Sequence, residues 1–214
     1  MMTLNKTPFT AVVLAFGAML SSAPGIGIPP VGAQPKAPTV VPGQRIGRVY
    51  LGYTPAQVQR TLGKPDKTLR LRNGTTDDIY LAKKTRLRFG QAMRDKLEIL
   101  YRKGRVVQIE ATSPAFETTS GLSTGSSLGQ LIESGWNWRV LAYQYTGEED
   151  GWHNNYFVDQ KKGLSFEFEI CQEELGRDST PTTLLVHRAG TRPLADVGGT
   201  LVTDSIDLSV VMYD

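Results

Sequence analysis

A short helix with complete start and stop signals is followed later in this chain by a weaker copy of the same pattern, and this recurrence constrains the fold more than any other feature. Thr54 can cap the first helix, Pro55 suits its first position, and Gln57 completes a capping box with Thr54. The Gly-Lys-Pro at 63–65 ends that helix. The same order of glycine, hydroxyl cap, glutamine and aliphatic residue returns at 125–131, 73 residues later. A repeat of this size predicts two copies of one small unit.

Residues 1–33 have the features of a secretory signal peptide. Lys6 precedes an apolar run at 9–20, which is too short to cross a membrane as a helix. The small residues at 31–33 predict cleavage before Gln34, and an uncleaved membrane anchor is the alternative. Cleavage would export the protein to the periplasm or the extracellular space, and the mature chain would not span a membrane.

The rest of the chain is predicted to hold a linker and two folded units. Residues 34–44 are proline-rich and lack periodicity, which indicates an extended linker. The first unit is placed at 45–116 and the second at 117–214. After each helix, apolar and polar residues alternate, and turn signals such as Asn73-Gly74 and Lys103-Gly104 separate the runs. The sequence predicts an α+β fold of two tandem units, each a short helix packed on an antiparallel β-meander.

The two predicted units carry opposite charge. Residues 44–110 contain sixteen Lys or Arg and six Asp or Glu, whereas residues 111–214 contain six Lys or Arg and fifteen Asp or Glu. Such an asymmetry could draw the two halves together, or it could present each half to a different partner.

Four arginines are predicted to form one exposed basic face. Arg70, Arg72, Arg86 and Arg88 alternate with apolar residues, and a turn expected at 82–84 would place the last two on a strand of their own. Such a face could bind an acidic protein, an anionic lipid headgroup or another polyanion. It could equally be a solvated face whose charge hinders aggregation. Nucleic acid is disfavoured as a partner, because aromatic residues are not interleaved with these arginines.

The second unit is rich in aromatic residues, which often dominate binding energy at interfaces. The candidates for partner contact are Trp136, Trp138, Tyr143 and Trp152. They could grip a loop of a partner or stack on sugar rings, and the alternative is that they fill the core.

The sequence gives little support for an enzyme. Cys171 could pair with His153 or His187, but it ends an apolar run, where a buried inert thiol is more common. The acidic turn at 148–150 lacks the glycine spacing of a calcium loop, and phosphate loops and zinc spacings are missing. We therefore expect no catalytic residues, no cofactor and no metal.

A family resemblance rests on the residues around the first helix. Val-Tyr-Leu-Gly-Tyr-Thr at 49–54, Gln57-Val58 and Leu-Gly-Lys-Pro at 62–65 resemble the opening of outer-membrane-assembly lipoproteins of the SmpA/OmlA (BamE-like) type. Two such units in tandem look like a beta-lactamase-inhibitory-protein-like repeat. This resemblance implies a concave sheet that binds a protein. The expected function is an exported, non-enzymatic protein-binding module, and the alternative is a protein that binds cell-wall glycans or anionic headgroups.

Overall fold

A computed structural model of the chain has one compact unit over Ala37–Asp214. The residues that it describes are 40–71, 74–88, 91–145, 153–169, 175–194 and 199–203. The predicted signal peptide at 1–33 lies outside this described part.

A three-stranded antiparallel sheet begins the described chain. Its strands are β1 (Val40–Val41), β2 (Arg45–Ile46) and β3 (Val49–Tyr50). Val40 is fully buried, and its N–H donates to the carbonyl oxygen of Glu117 at 2.9 Å. Residues 40–44, which the sequence analysis placed in the linker, are thus part of the folded unit, because the two valines supply apolar surface to the core.

The described residues contain two helices, α1 (Pro55–Leu62) and α2 (Leu128–Glu133), and both have the predicted capping boxes. In α1, Thr54 Oγ1 accepts from the N–H of Gln57 at 3.3 Å, and Gln57 Oε1 accepts from the N–H of Thr54 at 2.8 Å. Ser127 and Gln130 make the same two bonds at 3.2 and 2.9 Å. These helix starts are therefore confirmed. Neither described helix is long and apolar enough to cross a membrane.

The main sheet has nine strands, and all neighbours in it are antiparallel. In chain order the strands are β4 (Lys67–Arg70), β5 (Thr75–Arg88), β6 (Gln91–Arg102), β7 (Arg105–Ala111), β8 (Arg139–Tyr145), β9 (His153–Asp159), β10 (Leu164–Phe168), β11 (Thr183–His187) and β12 (Gly199–Thr203). Across the sheet the order is β12-β8-β9-β10-β11-β7-β6-β5-β4. Successive hairpins therefore link β4, β5, β6 and β7 in chain order. A second series of hairpins links β8, β9, β10 and β11.

The predicted fold of two helix-on-meander units is wrong. Strands β7 and β11 pair directly, with Ala111 opposite Leu184 and Ile109 opposite Val186, so the strands of both halves form one continuous sheet. The fold is mostly β, and the helices are only eight and six residues long. Pairing is favoured because two separate meanders would each leave a buried edge strand with unbonded backbone groups.

One face of the main sheet carries the principal hydrophobic core. Both helices contribute to it through Val58, Leu128 and Leu131, which are fully buried. The opposite face has a smaller buried cluster of Leu141, Tyr156, Val158 and Leu185. Every residue of β10 and β11 is buried, so these two central strands are covered on both faces.

Strands β5 and β6 form a hairpin that is longer than its neighbours. Strand β4 pairs only with residues 76–79 of β5, and the β6–β7 ladder begins at Leu97. The turn predicted at 82–84 is wrong, because β5 continues through it with an irregularity between Leu81 and Thr85. Extra residues on one strand of a pair bend the strand without ending it, and their local polarity looks like a turn in sequence.

Candidate functional site

The outer part of the β5–β6 hairpin is the candidate functional site. We name residues 82–96, of which 89 and 90 are outside the described chain, the basic arm. Its sequence holds six Lys or Arg and a single Asp. The arm continues beyond the part of β5 that pairs with β4 and beyond the part of β6 that pairs with β7. Its positive charge is therefore carried on a two-stranded extension of the main sheet.

Arg94 holds the bend of the arm in place. Its Nε donates to the carbonyl oxygen of Ala82 at 2.6 Å, and its Nη2 lies 3.5 Å from the carbonyl oxygen of Leu81. These are the carbonyls at the start of the irregularity in β5, so the guanidinium satisfies acceptors that the ladder leaves without its regular partners. Arg94 thus contributes both charge and shape to the arm.

Two further cations at the base of the arm already have acidic partners. Arg86 Nε lies 2.6 Å from Asp95 Oδ1, and Arg86 Nη2 donates to the carbonyl oxygen of Thr112 at 2.8 Å. Lys96 Nζ lies 2.8 Å from Glu98 Oε2. These contacts fix the base of the arm against the body of the sheet.

A groove of about 140 Å³ lies beside the arm. The arm side of the groove is formed by residues of both strands, and the body side is formed by residues that follow β7 and β10 or begin β11. The lining residues are Arg86, Met93, Arg94, Asp95, Lys96, Thr112, Glu169 and Thr183. The groove therefore offers three cations, two carboxylates and one apolar side chain to a bound group.

The arm also exposes two large apolar side chains. Leu87 is 75% exposed and Met93 is 45% exposed. They lie on opposite faces of the hairpin, because Leu87 is opposite Ala92 and Met93 is opposite Arg86. Charge and apolar surface thus occur together on both faces of the arm, a combination that suits a binding surface better than a purely solvated edge.

The structure places two of the predicted arginines, Arg70 and Arg86, far apart along the sheet. Arg70 is opposite Thr76, which is opposite Tyr101, whereas Arg86 is opposite Met93. Tyr101 and Met93 are roughly 26 Å apart along β6 at the usual rise per residue. The even spacing of these two residues places Arg70 and Arg86 on the same side of the sheet. The distance nevertheless keeps the two arginines from forming one continuous basic patch, because β5 continues through 82–84 without a turn. Arg72 lies outside the described residues, and Arg88 ends β5 without a described side chain.

The predicted aromatic surface is only partly supported. Trp138 is 7% exposed and belongs to the core, where its Nε1–H donates to the carbonyl oxygen of Leu131 at 2.6 Å. Trp136 is half-buried and stacks on Trp138 with ring centroids 5.4 Å apart. Lys162 Nζ lies 3.8 Å from the centroid of the Trp136 ring, so the outer ring has a cation as its neighbour. The assignment of Trp138 to partner contact is wrong, because its indole packs in the hydrophobic core and donates its hydrogen bond there.

The other two aromatic candidates, Tyr143 and Trp152, have no described side chain. Tyr143 lies in β8 opposite Asn154 and Leu201, and its side chain is not described. Trp152 lies outside the described residues, as do Cys171 and the acidic turn at 148–150.

A buried serine–histidine pair was not predicted from the sequence. Ser165 Oγ and His187 Nε2 are 2.8 Å apart, and the two residues are 0% and 1% exposed. Burial lowers the pKa of His187 to about 4, against a smaller opposing effect of the carbonyl oxygen of Arg188. Because both side chains are enclosed, we interpret the pair as a structural hydrogen bond. The only sequence signal was two polar residues at alternate positions in apolar strands.

A second buried polar group lies between β4, β5 and β6. Asp78 is 4% exposed and accepts a hydrogen bond from Thr68 Oγ1 at 2.6 Å. Burial and the charge of Asp78 raise the pKa of Tyr80 to about 12, and the same two causes raise that of Tyr101. These groups tie the edge strand β4 to the hairpin.

One other surface concavity lies beside α2 and has a volume of about 410 Å³. It is lined by Ser120, Gly121, Leu122, Ser126, Gln130, Glu133 and Ser134. Hydroxyl, amide and carboxylate groups of this kind can bind sugar hydroxyls. Among the described residues, no group of three or more His, Cys, Asp or Glu side chains converges as metal ligands would.

Comparisons with known proteins assign no family. No protein-family model matches the chain, and no curated protein matches it significantly. A solved structure of a cysteine-rich secretory protein from Staphylococcus aureus subsp. aureus Mu50 is similar to it, with a TM-score of 0.39 and 13% sequence identity. The match covers 68% of this chain and 46% of that one, so the chain spans less than half of the neighbour's length. A likeness this low carries no argument about fold or function.

Proposed function

We propose that the protein is an exported, non-enzymatic protein-binding module that uses the basic arm to bind an acidic surface of another exported or envelope protein. The observation that carries this proposal is the arm itself, which combines six cations with exposed Leu87 and Met93. Envelope assembly and inhibition of an extracellular enzyme are its two concrete forms, in keeping with the BamE-like resemblance of the sequence around α1.

The two kinds of side chain on the arm would act at different stages of binding. Long-range attraction by exposed cations such as Lys83 and Lys84 speeds the encounter with an acidic partner, and salt reduces this effect. Burial of Leu87 and Met93 would slow dissociation, because their apolar surface would leave water. The ion pair between Arg86 and Asp95 would keep the base of the arm rigid, so that little ordering is required on binding.

A second candidate function is binding to cell-wall glycans or anionic headgroups. The hydroxyl-lined concavity beside α2 favours a glycan, and the charge of the arm would also suit an anionic surface. Neither feature requires a protein partner.

The test compares charge reversal on the arm with the same reversal elsewhere. Lys83→Glu/Lys84→Glu changes two exposed arm residues, and Lys64→Glu/Lys67→Glu is the matched control at two exposed positions outside the arm. Each protein is immobilised and exposed to envelope extract, to purified cell wall and to vesicles with anionic headgroups. We expect one protein species to bind the wild type and the control at low salt, and to be lost from the arm variant.

The alternatives give different results in the same experiment. Equal loss from both variants would show that net charge, and not the arm, attracts the partner. Binding to wall or vesicles without any protein species would contradict the proposal and favour the second candidate function.

A further inference from the structure

The edge of β6 within the basic arm has no neighbouring strand. The β6–β7 ladder begins with Leu97 opposite Ala111. Beyond it, the N–H of Thr112 donates to the carbonyl oxygen of Lys96 at 3.1 Å, and Thr112 Oγ1 accepts from the N–H of Lys96 at 2.9 Å. In the described part of the chain, no strand pairs with Gln91–Asp95 on this side.

The pleat of the strand determines which backbone groups face this edge. The backbone of Lys96 points towards Thr112 and away from β5, so the backbones of Arg94 and Ala92 point the same way. On β5, at the residue just before the arm, the N–H of Leu81 donates to Asp66 Oδ2 at 2.8 Å. The backbone groups of Leu81 therefore point away from β6. The edge therefore presents the N–H and C=O groups of two successive outward residues, Ala92 and Arg94.

This edge forms one wall of the groove beside the arm. Thr112, Glu169 and Thr183 form the opposite wall, on the body of the sheet. A strand added at the edge would lie in line with β7, where β7 itself ends at Ala111. It would thus extend the existing sheet instead of creating a new surface.

The charge of the arm selects the kind of segment that can occupy this edge. A second copy of the arm would bring two strongly basic hairpins together, and like charges on adjacent strands are destabilising. An acidic segment would gain from Arg94 on one face, while an apolar side chain could cover Met93 on the other face. Since Met93 is 45% exposed, its side chain is available for such a contact.

We propose that the edge of β6 at Gln91–Asp95 binds an extended acidic and apolar segment of the partner protein as an additional strand. This inference rests on the proposed function, because it specifies how the basic arm holds its acidic partner. Backbone hydrogen bonds at Ala92 and Arg94 supply affinity, and the alternating side chains supply specificity.

The test removes one backbone donor without changing any charge. Ala92→Pro deletes an N–H that faces the unpaired edge of β6, and proline is tolerated where an edge residue faces away from its own partner strand. Thr85→Pro is the matched control. Thr85 is opposite Arg94, and the backbone groups of two such paired residues point away from each other, so the N–H of Thr85 faces the other edge of the arm. The probe is an eight-residue peptide of alternating glutamate and valine, titrated into isotope-labelled protein at low salt while amide chemical shifts are recorded.

We expect the wild type to bind this peptide with shift changes at residues 92 and 94. Binding should weaken about tenfold in Ala92→Pro and less than about twofold in Thr85→Pro. Cross-strand contacts between residues 86 and 93 show whether the arm stays folded in each variant. Absence of peptide binding to the wild type, or equal weakening in both variants, would overturn the proposal.

A second measurement uses the wild-type protein and modified peptides, so it does not depend on how the variants fold. N-methylation at the odd or at the even positions of the peptide removes the donors on one of its two edges. Strand addition requires one of the two methylated peptides to bind much more weakly than the other. Equal binding by both would mean that only charge attracts the peptide. In that case, loss of extract binding in Lys83→Glu/Lys84→Glu would still support the proposed function while the strand-addition inference fails.

Discussion

The basic arm and the strands β10 and β11 belong to one sheet but have opposite environments. Every residue of β10 and β11 is buried, whereas the first four residues of β6 are exposed. In the central strands, polar groups such as Ser165 and His187 bond to each other. In the arm, the described cations are either exposed to solvent or bonded to carboxylates and backbone carbonyls at its surface. The difference teaches that burial is greatest where strands have neighbours on both sides, and that the proposed binding surface lies where two strands extend beyond their neighbours.

The largest expected difference between the two regions concerns side-chain truncation. Phe166 is fully buried and meets Trp138 edge-on with ring centroids 5.8 Å apart. We expect Phe166→Ala to lower the free energy of unfolding by about 3–5 kcal/mol. Met93→Ala in the arm should change it by less than about 0.5 kcal/mol. Urea unfolding of both variants measures this, and similar losses would contradict the assignment of stability to the central strands.

Two turn glycines compare the central strands with the β6–β7 turn, which lies at the end of β6 away from the arm. Gly163, between β9 and β10, has φ +73°, and an added Cβ would lie 2.3 Å from the carbonyl oxygen of His187. Gly104, between β6 and β7, has φ +68° and nothing within 4 Å of an added Cβ. Gly104→Ala should cost about 1–2 kcal/mol from the left-handed backbone alone. Gly163→Ala should cost about 2 kcal/mol more, because the backbone must also move apart. Equal midpoints in thermal unfolding would show that the central turn is not tightly packed.

The buried histidine predicts a pH dependence that belongs to the central strands. Burial lowers the pKa of His187 from 6.5 to about 4, so between these values the unfolded chain binds a proton that the folded chain does not. Stability contributed by the neutral form is complete above pH 6.5 and is lost as the pH falls towards 4. The loss reaches about 3 kcal/mol.

The matched variant for this prediction is His187→Gln. Its amide can still bond to Ser165 but cannot take up a proton, while all carboxylates remain common to both proteins. We expect the difference in unfolding free energy between the two proteins to shrink or reverse from pH 7 to pH 4. A difference that is constant with pH would show that His187 is accessible to protons in the folded protein.

The smallest expected effect concerns the ion pair at the base of the arm. Arg86 and Asp95 are 37% and 19% exposed as side chains, so their pairing contributes little to global stability. Asp95→Ala should change the free energy of unfolding by about 0–1 kcal/mol, and less at high salt. The urea midpoint at two salt concentrations measures this. A large loss at both would mean that the arm is part of the core.

Part of the candidate site could be predicted from the sequence. The cluster of cations at 83–96 is visible in the printed chain, and Arg86 was named as a binding residue. The position of Arg86 relative to Arg70 could not be predicted, because it depends on an irregular stretch that resembles a turn. The burial of Trp138 could not be predicted from the sequence pattern either. Aromatic residues serve cores and interfaces alike, and only its hydrogen bond to Leu131 and its 7% exposure decide between them.

The sequence by itself determined the starts of both described helices and the turn between β6 and β7, although not the course of the chain at 82–84. Capping boxes at Thr54 and Ser127 formed as predicted, and the turn at Lys103-Gly104 has positive φ at both residues. These features depend on bonds and dihedral angles within a few residues, so a short stretch of sequence is enough to specify them.

Only the tertiary structure decided that β7 and β11 join the strands of both halves into one sheet, and that β5 and β6 extend beyond it. Edge pairing depends on burying backbone groups of residues about 75 positions apart, such as Ala111 and Leu184. Alternation of apolar and polar residues specifies which side of a strand faces the core. It does not specify which strand lies next to it, because the hydrogen bonds that join neighbouring strands are made by the backbone, which every residue shares.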